Sequence, residues 1–519
     1  MARPRTRFHR LATARLAVSV PKAIMALAFL FGVSLALRTQ AIHARFWIDE
    51  GLSVGISGHP LLDIPGLLRQ DGSPPLYYLV LNVWMHVFGS GEADTHALSV
   101  AFALFTVPVA WLAARALFGD RAAWVAALLA AINPFLTYYA QETRMYSLVA
   151  LLSTVVTGTF VVAFVHGRRR WLPAFSVSLA LLAYAHNWGL FLGLGTVAAL
   201  VPLWRASADR RALLRDAAFA YGLAALLYLP WTVILISQAR HTGAPWAEAP
   251  KLQDILNGLS TLLGGPAPGM AFGLGAGYGL STLLAGTRRS PRARAALAIG
   301  VMMAATLAIA WLTSQISPAW SNRYFAVFVG PLLLLGAAGL ARGGRFGLVV
   351  IAILVVFWFN PRTGALDHKS NAHETAVLVR DRLERGDLVV AAHPEQGPVM
   401  HYYLPQDIGL RWANAMGPVS DPTMFDWRDA LKRLRAARPT PTADALVRTL
   451  KPGQKLLLIE PIIRTARWGA PWTSLVRKRA ARWERVLDRD RRLSRTLAAP
   501  VLEGKPLPKG VRAVLYERR

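Results

Sequence analysis

The chain has 519 residues, of which 54% are hydrophobic and only 17% are charged, and it contains no cysteine. This composition is too apolar for an ordinary soluble protein and is typical of a polytopic membrane protein, while the absence of cysteine excludes thiol catalysis, disulfides and cysteine-bound zinc. The formal net charge of +29 does not indicate a nucleic-acid partner, because many arginines stand in short clusters between hydrophobic runs.

The hydrophobic runs predict a mainly α-helical, polytopic transmembrane bundle. A crossing helix needs about 20 apolar residues. By this measure we predict about eleven spans, at roughly 22–40, 97–118, 122–138, 147–166, 171–187, 189–205, 217–236, 271–287, 295–313, 324–341 and 346–360. With this number of spans the basic clusters between them, for example 168–170, all fall on the face that carries the N-terminus. The positive-inside rule makes that face cytoplasmic.

Segment 74–88 tests this assignment, because it is apolar but short, contains Asn82 and His86, and opens with two prolines. If it crossed the membrane, Asp49 and Glu142 would lie on opposite sides. We therefore predict an interfacial helix along the outer surface, with a short tilted crossing as the alternative. The outer loops are then about 41–96, 139–146, 237–270 and 314–323.

The composition changes after residue 360 and divides the chain into a membrane domain, 1–360, and a small soluble α/β domain, 361–519. An odd number of spans places this second domain outside the cytoplasm. Its strands are predicted at 387–392, 455–459 and 511–516, and its helices at 371–385 and 426–438. It contains neither of the common glycine-rich nucleotide-binding fingerprints.

Asp49 and Glu50, directly after the first span, are the first candidates for catalysis. Adjacent carboxylates at a membrane edge are costly unless they hold a cation or exchange a proton. Asp49 is predicted to be the general base that removes a proton from an acceptor hydroxyl, and Glu50 to orient it or to bind a divalent metal ion. The alternative for the pair is a solvated helix cap.

A second candidate segment follows in the same outer loop. Asp71 and Ser73 stand in a turn before two prolines, where Asp71 can face the same pocket as Asp49 or can simply cap a helix. Tyr77 and Tyr78 come next and are predicted to stack on a sugar ring.

Further candidates lie at the outer ends of later spans. Glu142 is predicted to be the second acid of the site, and Arg144 to pair with it or to bind phosphate, with a surface ion pair as the alternative. Arg323, next to Tyr324, breaks the positive-inside bias, and a guanidinium group suits a lipid phosphate, although snorkelling to headgroups is the alternative. His186 is a candidate contact to substrate or metal, and a hydrogen-bonded structural histidine is the favoured alternative.

These motifs resemble those of the GT-C membrane glycosyltransferases, in particular the family 39-like group of protein O-mannosyltransferases and lipid A aminoarabinose transferases. The resemblance covers about residues 20–360 and rests on five segments. They are Trp47-Ile48-Asp49-Glu50-Gly51, Asp71-Gly72-Ser73-Pro74-Pro75-Leu76-Tyr77-Tyr78, Ala114-Arg115-Ala116-Leu117-Phe118-Gly119, Gln141-Glu142-Thr143-Arg144-Met145-Tyr146 and Arg323-Tyr324.

The resemblance implies an inverting transfer of a sugar from a polyprenyl-phosphate carrier to a hydroxyl of a glycan, lipid or protein, outside the cytoplasm. It implies Asp49 as base or metal-site acid, Glu142 as second-loop acid and Arg323 as the ligand of the lipid phosphate. Metal dependence varies within the family, so a divalent cation (Mg, Mn or Zn) held by Asp49 and Glu142 stays open. The family often has a basic residue or histidine where this chain has Ser73.

Other functions stay open at this point. A polytopic transporter or flippase for a lipid-linked or envelope substrate is the main alternative, but transporters place charges near the membrane midplane and often show inverted repeats. Here the charges cluster in outer loops. A scaffold whose basic outer domain holds an anionic envelope polymer is a third candidate. Mannose, arabinofuranose and aminoarabinose all fit as the sugar.

Overall fold

The structure is a computed structural model that describes residues 20–286, 290–359, 366, 369–462, 469–498 and 510–519. The predicted cytoplasmic tail before residue 20 and the predicted domain boundary between residues 360 and 361 lie outside the described residues.

Apolar runs separated by glycine, proline and arginine form a helical bundle. Gly119, for example, has a φ of 97°, which a residue with a side chain rarely adopts, and it makes the tight turn between two helices. In chain order the helices are α1 (Val20–Arg38), α2 (Ile48–Ser57), α3 (Ile64–Asp71), α4 (Leu76–Phe88), α5 (Glu92–Phe118), α6 (Asp120–Ile132), α7 (Pro134–Tyr139), α8 (Tyr146–Phe160), α9 (Leu172–Ala185), α10 (Trp188–Ala206), α11 (Arg210–His241), α12 (Leu252–Leu262), α13 (Pro266–Gly286), α14 (Pro291–Ile316), α15 (Val329–Arg342) and α16 (Gly344–Trp358).

Among the described residues, seven helical segments are long and apolar enough to cross a membrane: α1, α5, α8 with its π-helical extension Val161–Val165, α10, α11, α14, and α15 with the preceding 3-10 helix Asn322–Phe328. Helices α6, α9 and α16 have only 13, 14 and 15 residues. The polytopic helical bundle is therefore confirmed, whereas the total of eleven spans stays a prediction.

Helix α4 begins and ends on the side of the bundle that faces the C-terminal domain. Pro74, just before it, lines a cavity shared with that domain. Just beyond its end, the hydroxyl of Tyr402 donates a hydrogen bond to the carbonyl of Ser90 at 3.1 Å. In its middle, Asn82 donates to the carbonyl of Ser57 at 2.8 Å. This placement favours the predicted interfacial helix over a crossing.

The C-terminal domain is built on a six-stranded mixed sheet in the order β3-β2-β1-β4-β6-β5. Strand β1 runs parallel to β2 and β4, while β6 pairs antiparallel with β4 and β5. The strands are β1 (Leu388–Ala391), β2 (Arg411–Asn414), β3 (Gly417–Pro418), β4 (Lys455–Pro461), β5 (Leu493–Ala498) and β6 (Val511–Arg518), and the helices are α17 (Ala372–Arg380), α18 (Gln396–Tyr403), α19 (Ala430–Ala436), α20 (Pro439–Arg448) and α21 (Pro471–Asp488). The predicted α/β class is confirmed.

The two central strands show why this sheet is stable. All four residues of β1 are buried, and so are the six residues of β4 that follow Lys455. Apolar side chains on both faces of a central strand need cover on both faces, and helices supply it. The three predicted strands are β1, β4 and β6. The strands β2, β3 and β5 and the helices α18, α20 and α21 were not predicted.

Helix α2 joins the bundle to the C-terminal domain through two glycines. A Cβ atom on Gly51 would lie 2.6 Å from the Cα of Val399 in α18, and one on Gly55 would lie 2.0 Å from the carbonyl oxygen of Thr423. Only glycine permits such an approach of two backbones. Because these glycines are four residues apart, they lie on one face of α2, and this face fixes the junction at which Asp49 sits.

Candidate active site

A cavity of about 700 Å³ lies between the helical bundle and the C-terminal domain. Seven of the predicted site residues line it from the bundle side: Asp49, Asp71, Ser73, Arg144, His186, Arg323 and Tyr324. Residues of the C-terminal domain line the opposite side, among them His393, Glu395, Gln396, Trp427 and Arg477. Segments that are far apart in the chain therefore meet at one end of the bundle.

The central contact of the bundle side is an ion pair between Asp49 and Arg323, in which the Arg323 Nη1 donates to the Asp49 Oδ2. Both side chains are largely buried, at 17% and 18% exposed. The guanidinium also lies over two indole rings, 5.6 Å from the centre of Trp47 and 5.4 Å from that of Trp246. Such cation–π contacts hold the arginine in place without using its hydrogen-bond donors.

Arg144 approaches the same helix end from the loop between α7 and α8. Its Nη1 donates to the carbonyl of Asp49 at 3.2 Å, the hydroxyl of Ser53 at 2.9 Å and the hydroxyl of Tyr78 at 3.3 Å. The Nε of Arg144 and that of Arg323 are buried and have no hydrogen-bond partner in the described part of the chain. Two guanidinium groups therefore stand in the cavity wall, and their positive charge suits an anion with several oxygens.

Asp71 is the second carboxylate in the cavity wall. Loss of water around it raises its pKa above the usual aspartate value, and the negative charge of Asp49 acts in the same direction. A hydrogen bond from Ser73 and the positive charge of Arg144 offset this only in part. Gln238 holds the turn by donating to the Ser73 carbonyl at 3.2 Å. Asp71 therefore takes up a proton more readily than an ordinary aspartate.

Aromatic rings close the bundle side of the cavity around His186. The backbone N–H of Trp188 donates to the His186 Nδ1 at 3.1 Å, so the ring carries its proton on Nε2. The ring centre of His186 lies 4.6 Å from that of Tyr324, which in turn lies 5.5 Å from that of Trp188. The two predicted residues thus form one aromatic surface, which can accommodate a sugar ring or a prenyl chain.

Glu50, in contrast to its neighbour Asp49, is not among the residues that line the cavity. It is fully buried, and its carboxylate accepts hydrogen bonds from His96 Nε2 at 2.7 Å, Lys369 Nζ at 2.8 Å and the backbone N–H of Thr143 at 2.8 Å. Burial alone would raise the pKa of Glu50, but Lys369 and His96 lower it to about 2. These contacts hold helix α2 to its surroundings, and the catalytic or metal-binding role of Glu50 stays a prediction.

Glu142 lies behind the cavity wall, with 1% of its surface exposed, and is not among the lining residues. Its segment does approach helix α2 as expected, because the neighbouring Thr143 contacts Glu50 and the following Arg144 contacts Asp49. The predicted loop does lie at the site. Of its residues, Arg144 lines the cavity and Glu142 does not.

Tyr77 and Tyr78 are buried, at 0% and 1% exposed, and neither lines the cavity. The Tyr77 hydroxyl lies 3.3 Å from that of Ser99, and the Tyr78 hydroxyl accepts from Arg144. The predicted stacking of these two rings on a sugar does not fit this position, because the bundle encloses both rings. Instead, Tyr78 helps to orient Arg144.

The predicted metal pair, Asp49 and Glu142, does not form a metal site in this arrangement. Asp49 pairs with Arg323, and Glu142 lies behind the wall. Within the described residues, no group of three histidine or carboxylate side chains could hold a metal ion. The donor set therefore does not fit a divalent cation held by protein ligands alone.

Sequence reasoning missed the entire C-terminal side of the cavity. His393, Glu395 and Gln396 follow strand β1, but no local motif marks them, and only the fold shows that they face the bundle. Trp246 was also missed. A tryptophan in a Pro/Gly-rich outer loop, 243–250, was the available signal, because an aromatic residue there has no span to anchor.

No protein-family model and no curated protein matches the sequence. Solved structures do match. ArnT from Cupriavidus metallidurans bound to undecaprenyl phosphate has a TM-score of 0.62 at 14% identity, over 96% of this chain and 98% of that one. Archaeal AglB from Archaeoglobus fulgidus, in complex with an inhibitory peptide and a dolichol-phosphate, has a TM-score of 0.56 at 12% identity, over 84% of this chain and 69% of that one.

Arabinofuranosyltransferase AftD from Mycobacteria matches with a TM-score of 0.58 at 16% identity, over 95% of this chain but only 40% of that one. The agreement extends to nearly the whole chain, including the C-terminal domain. The GT-C fold predicted from the sequence motifs is thereby confirmed, together with the polytopic membrane architecture.

Proposed function

We propose that this protein is an integral membrane glycosyltransferase that moves a sugar from a polyprenyl-phosphate-linked donor to a hydroxyl of an envelope glycan, lipid or protein. The observation that carries this proposal is the pairing of Asp49 with Arg323 in the wall of a cavity, although the two residues are 274 positions apart. A base and a phosphate ligand in one cavity are the two groups that such a transfer requires.

In the proposed reaction Arg323 exchanges its partner. The lipid phosphate binds Arg323 and Arg144, both of which line the cavity. This weakens the hold of Arg323 on Asp49, whose carboxylate then accepts a hydrogen bond from the acceptor hydroxyl. Binding of the anionic donor therefore prepares the base.

The chemical step is a single displacement at the anomeric carbon. Asp49 takes the proton of the acceptor hydroxyl, the acceptor oxygen forms the new bond to the anomeric carbon, and the bond from that carbon to the phosphate oxygen breaks. The electron pair leaves with the polyprenyl phosphate, whose charge Arg144 and Arg323 stabilise. One displacement inverts the configuration.

We propose that the cavity and the C-terminal domain lie on the extracytoplasmic side of the cell membrane, with the N-terminus in the cytoplasm. Basic clusters support this orientation, since Arg168 and Arg170 follow α8 at the end opposite to the cavity. A carrier whose phosphate sits at headgroup level then presents its sugar directly to Asp49. The membrane domain 1–360 would hold the donor, with the domain 361–519 above it.

The named ligands of similar structures support this donor class, since one ArnT structure holds undecaprenyl phosphate and one AglB structure holds a dolichol-phosphate. An AglB structure with zinc and sulfate has also been solved, with a TM-score of 0.50. AglB is named as an oligosaccharyltransferase and AftD as an arabinofuranosyltransferase. Both names favour an enzyme over the transporter alternative.

The test is the variant Asp49→Asn, purified and assayed with the radiolabelled lipid-linked sugar fraction and the membrane extract of a strain that lacks the gene. We expect label transfer to fall by about 10²–10⁴-fold, the typical contribution of a general base. Binding of undecaprenyl phosphate should remain, because Arg144 and Arg323 are unchanged.

The matched control is Asp63→Asn, an exposed aspartate of the same outer loop. It should transfer label at the wild-type rate. Transfer at the wild-type rate by Asp49→Asn would refute the assignment of the base. Uptake of the labelled lipid without a covalent product, in the wild type, would instead favour a transporter.

A further inference from the structure

Asp71 lines the cavity, but the proposed reaction does not use it. It is the last residue of helix α3, and it shares the cavity wall with Asp49. Within the described residues, Asp49 forms an ion pair with Arg323, whereas Asp71 forms none. A partly enclosed carboxyl group that lacks a cation partner is favoured in its protonated form.

Contacts from two directions fix the position of this carboxyl group. In helix α11, the Nε2 of Gln238 donates to the carbonyl of Leu68 at 2.8 Å and to that of Ser73 at 3.2 Å. From the C-terminal domain, the backbone N–H of Trp427 donates to the carbonyl of Gln70 at 2.9 Å. The end of α3 is therefore held between the bundle and the C-terminal domain, which keeps its last residue in the cavity wall.

The charges of the lining residues balance before a ligand binds. Among the described residues, three carboxylates and three arginines line the cavity, and with neutral histidines their charges cancel: Asp49, Asp71, Glu395, Arg144, Arg323 and Arg477. A sugar linked to a polyprenyl phosphate brings a single negative charge, because its phosphate is a diester. A proton taken up together with this donor would keep the cavity neutral and avoid an uncompensated charge in a partly enclosed site.

Of the three lining carboxylates, Asp71 is the one whose charge has no partner in direct contact within the described residues. Asp49 binds Arg323, and the Glu395 Oε2 lies 2.8 Å from the His393 Nε2. Protonation of either of these carboxylates would weaken an existing contact. A proton taken up with the donor therefore goes to Asp71.

The groups that face Asp71 favour the same site for the proton. Loss of water raises its pKa and so does the negative charge of Asp49, while Ser73 and the positive charge of Arg144 offset this rise only in part. The other titratable groups around α3 are exposed or bound elsewhere: Arg69 and Arg240 are exposed, Tyr78 binds Arg144, His241 binds Asp429 and Arg428 binds Asp426. The negative charge of a bound phosphate raises the pKa of Asp71 further.

We propose that Asp71 binds the donor phosphate as a neutral carboxyl group, which donates a hydrogen bond to a phosphate oxygen between Arg144 and Arg323. As the bond to the anomeric carbon breaks, the phosphate gains a second negative charge, and this hydrogen bond becomes stronger. Asp49 and Asp71 thus have opposite tasks, since one accepts a proton from the acceptor and the other offers a proton to the phosphate. This inference rests on the proposed function and deepens it.

The first test counts the protons that the purified full-length protein takes up when it binds undecaprenyl phosphate. Isothermal titration in two buffers of different ionisation enthalpy gives this number from the difference between the heats. At about pH 7 the wild type should take up about one proton more per bound lipid than Asp71→Asn, whose amide cannot take up a proton. The titration of the lipid itself is common to both proteins, and no sugar transfer is needed.

The second test measures label transfer from the lipid-linked sugar fraction over a series of pH values. The wild type should lose at least about tenfold in transfer as the pH rises through the pKa of donor-bound Asp71, because the hydrogen-bond donor is lost. Asp71→Asn should lack this decline, since an amide donates at every pH. Asp71→Ala, which removes the donor, should transfer about tenfold more slowly than Asp71→Asn at about pH 7.

Asp63→Asn is the matched control. Asp63 stands at the other end of the same helix, where it is exposed and does not line the cavity. This variant should show the proton uptake and the pH profile of the wild type.

The possible outcomes separate the inference from the function on which it rests. Equal proton uptake by the wild type and Asp71→Asn overturns the proton on Asp71, and so does an alkaline decline that persists in Asp71→Asn. If Asp71→Asn is as slow as Asp71→Ala, the reaction needs the charge of Asp71 rather than a hydrogen-bond donor, which also overturns the inference. A wild type that binds the lipid with the expected proton uptake but transfers no label with any extract overturns the proposed function alone.

Discussion

Asp49 and Glu50 are neighbours in the chain, yet they lie in opposite environments. Asp49 lines the cavity and is paired with Arg323, an arginine that still has a donor without a described partner. Glu50 is fully buried, and His96, Lys369 and the backbone of Thr143 bind its two oxygens. Two carboxylates of the same first helical turn thus face a ligand site and a closed core.

The difference shows how one motif supplies both chemistry and architecture. The partners of Glu50 come from helix α5, from the loop before α8 and from the segment that enters the C-terminal domain, so one carboxylate ties three distant parts to helix α2. Its polar network is fully satisfied, and such networks rigidify a fold. The polar groups beside Asp49 are incompletely satisfied, which is the usual property of a binding site.

The largest effect on stability is expected for Glu50→Gln, which tests whether Glu50 supports the fold. The change leaves Lys369 buried without its negative partner, and breaking a buried pair in this way lowers the free energy of unfolding by about 3–5 kcal/mol. Denaturant titration in detergent micelles, followed by tryptophan fluorescence, measures this loss. By contrast, Asp49→Asn should lower the free energy of unfolding less, because the side chain of its partner Arg323 is 18% exposed and that of Lys369 only 1%.

Acid pH provides an independent control on Glu50. Its pKa is lowered to about 2 in the folded protein from an ordinary 4.5, so its contribution to stability is complete above about pH 4.5 and is lost as the pH falls through 2. The stability difference between wild type and Glu50→Gln should therefore shrink over this window. A difference that stays constant down to pH 2 would show that the charge of Glu50 does not provide the stability.

Arg323→Lys sharpens the other half of the comparison. Lysine keeps the positive charge beside Asp49 but loses the planar fork and the Nε–H that the structure leaves beside the cavity. We expect the affinity for undecaprenyl phosphate to fall about tenfold, with little change in stability. Isothermal titration with undecaprenyl phosphate in micelles measures the affinity.

The control for this variant is Arg240→Lys, at the exposed end of helix α11 on the same side of the membrane. It should bind undecaprenyl phosphate as the wild type does. An unchanged affinity in Arg323→Lys would mean that general positive charge, and not the geometry of the Arg323 guanidinium, attracts the lipid. Equal losses in the two variants would mean that the effect is not specific to Arg323.

The fold was largely predictable, because hydrophobic length and basic clusters define a helical bundle through local sequence alone. The strands β1, β4 and β6 were found for a similar reason, since a buried strand is a continuous apolar run. The two-residue strand β3 carries no such local pattern, and its position depends on contacts across the domain. Helix α21 does carry a pattern, because Trp472, Val476, Trp483 and Leu487 recur at helical spacing and are buried, and this signal was missed.

The site was predictable only where a motif carried the residue. Asp49, Arg144 and Arg323 stand in recognisable segments and do line the cavity. The side-chain directions were not predictable, because a shift of one residue along α2 separates a cavity residue from a core residue. Lys369 stands in none of these motifs, and the structure buries it beside Glu50, at 5% exposed.

The smallest effect is expected for the ion pair between Arg115 and Asp120, at the turn between α5 and α6. Its Nε and Oδ1 atoms are 2.9 Å apart, as close as those of the Glu50 cluster, but the side chains are 55% and 62% exposed. Water screens exposed pairs, so Asp120→Asn should change the free energy of unfolding by less than about 1 kcal/mol. The same denaturant titration measures this change, and label transfer should stay at the wild-type rate. A loss as large as that of Glu50→Gln would mean that distance, rather than burial and complete satisfaction, distinguishes the ion pairs on which this fold depends.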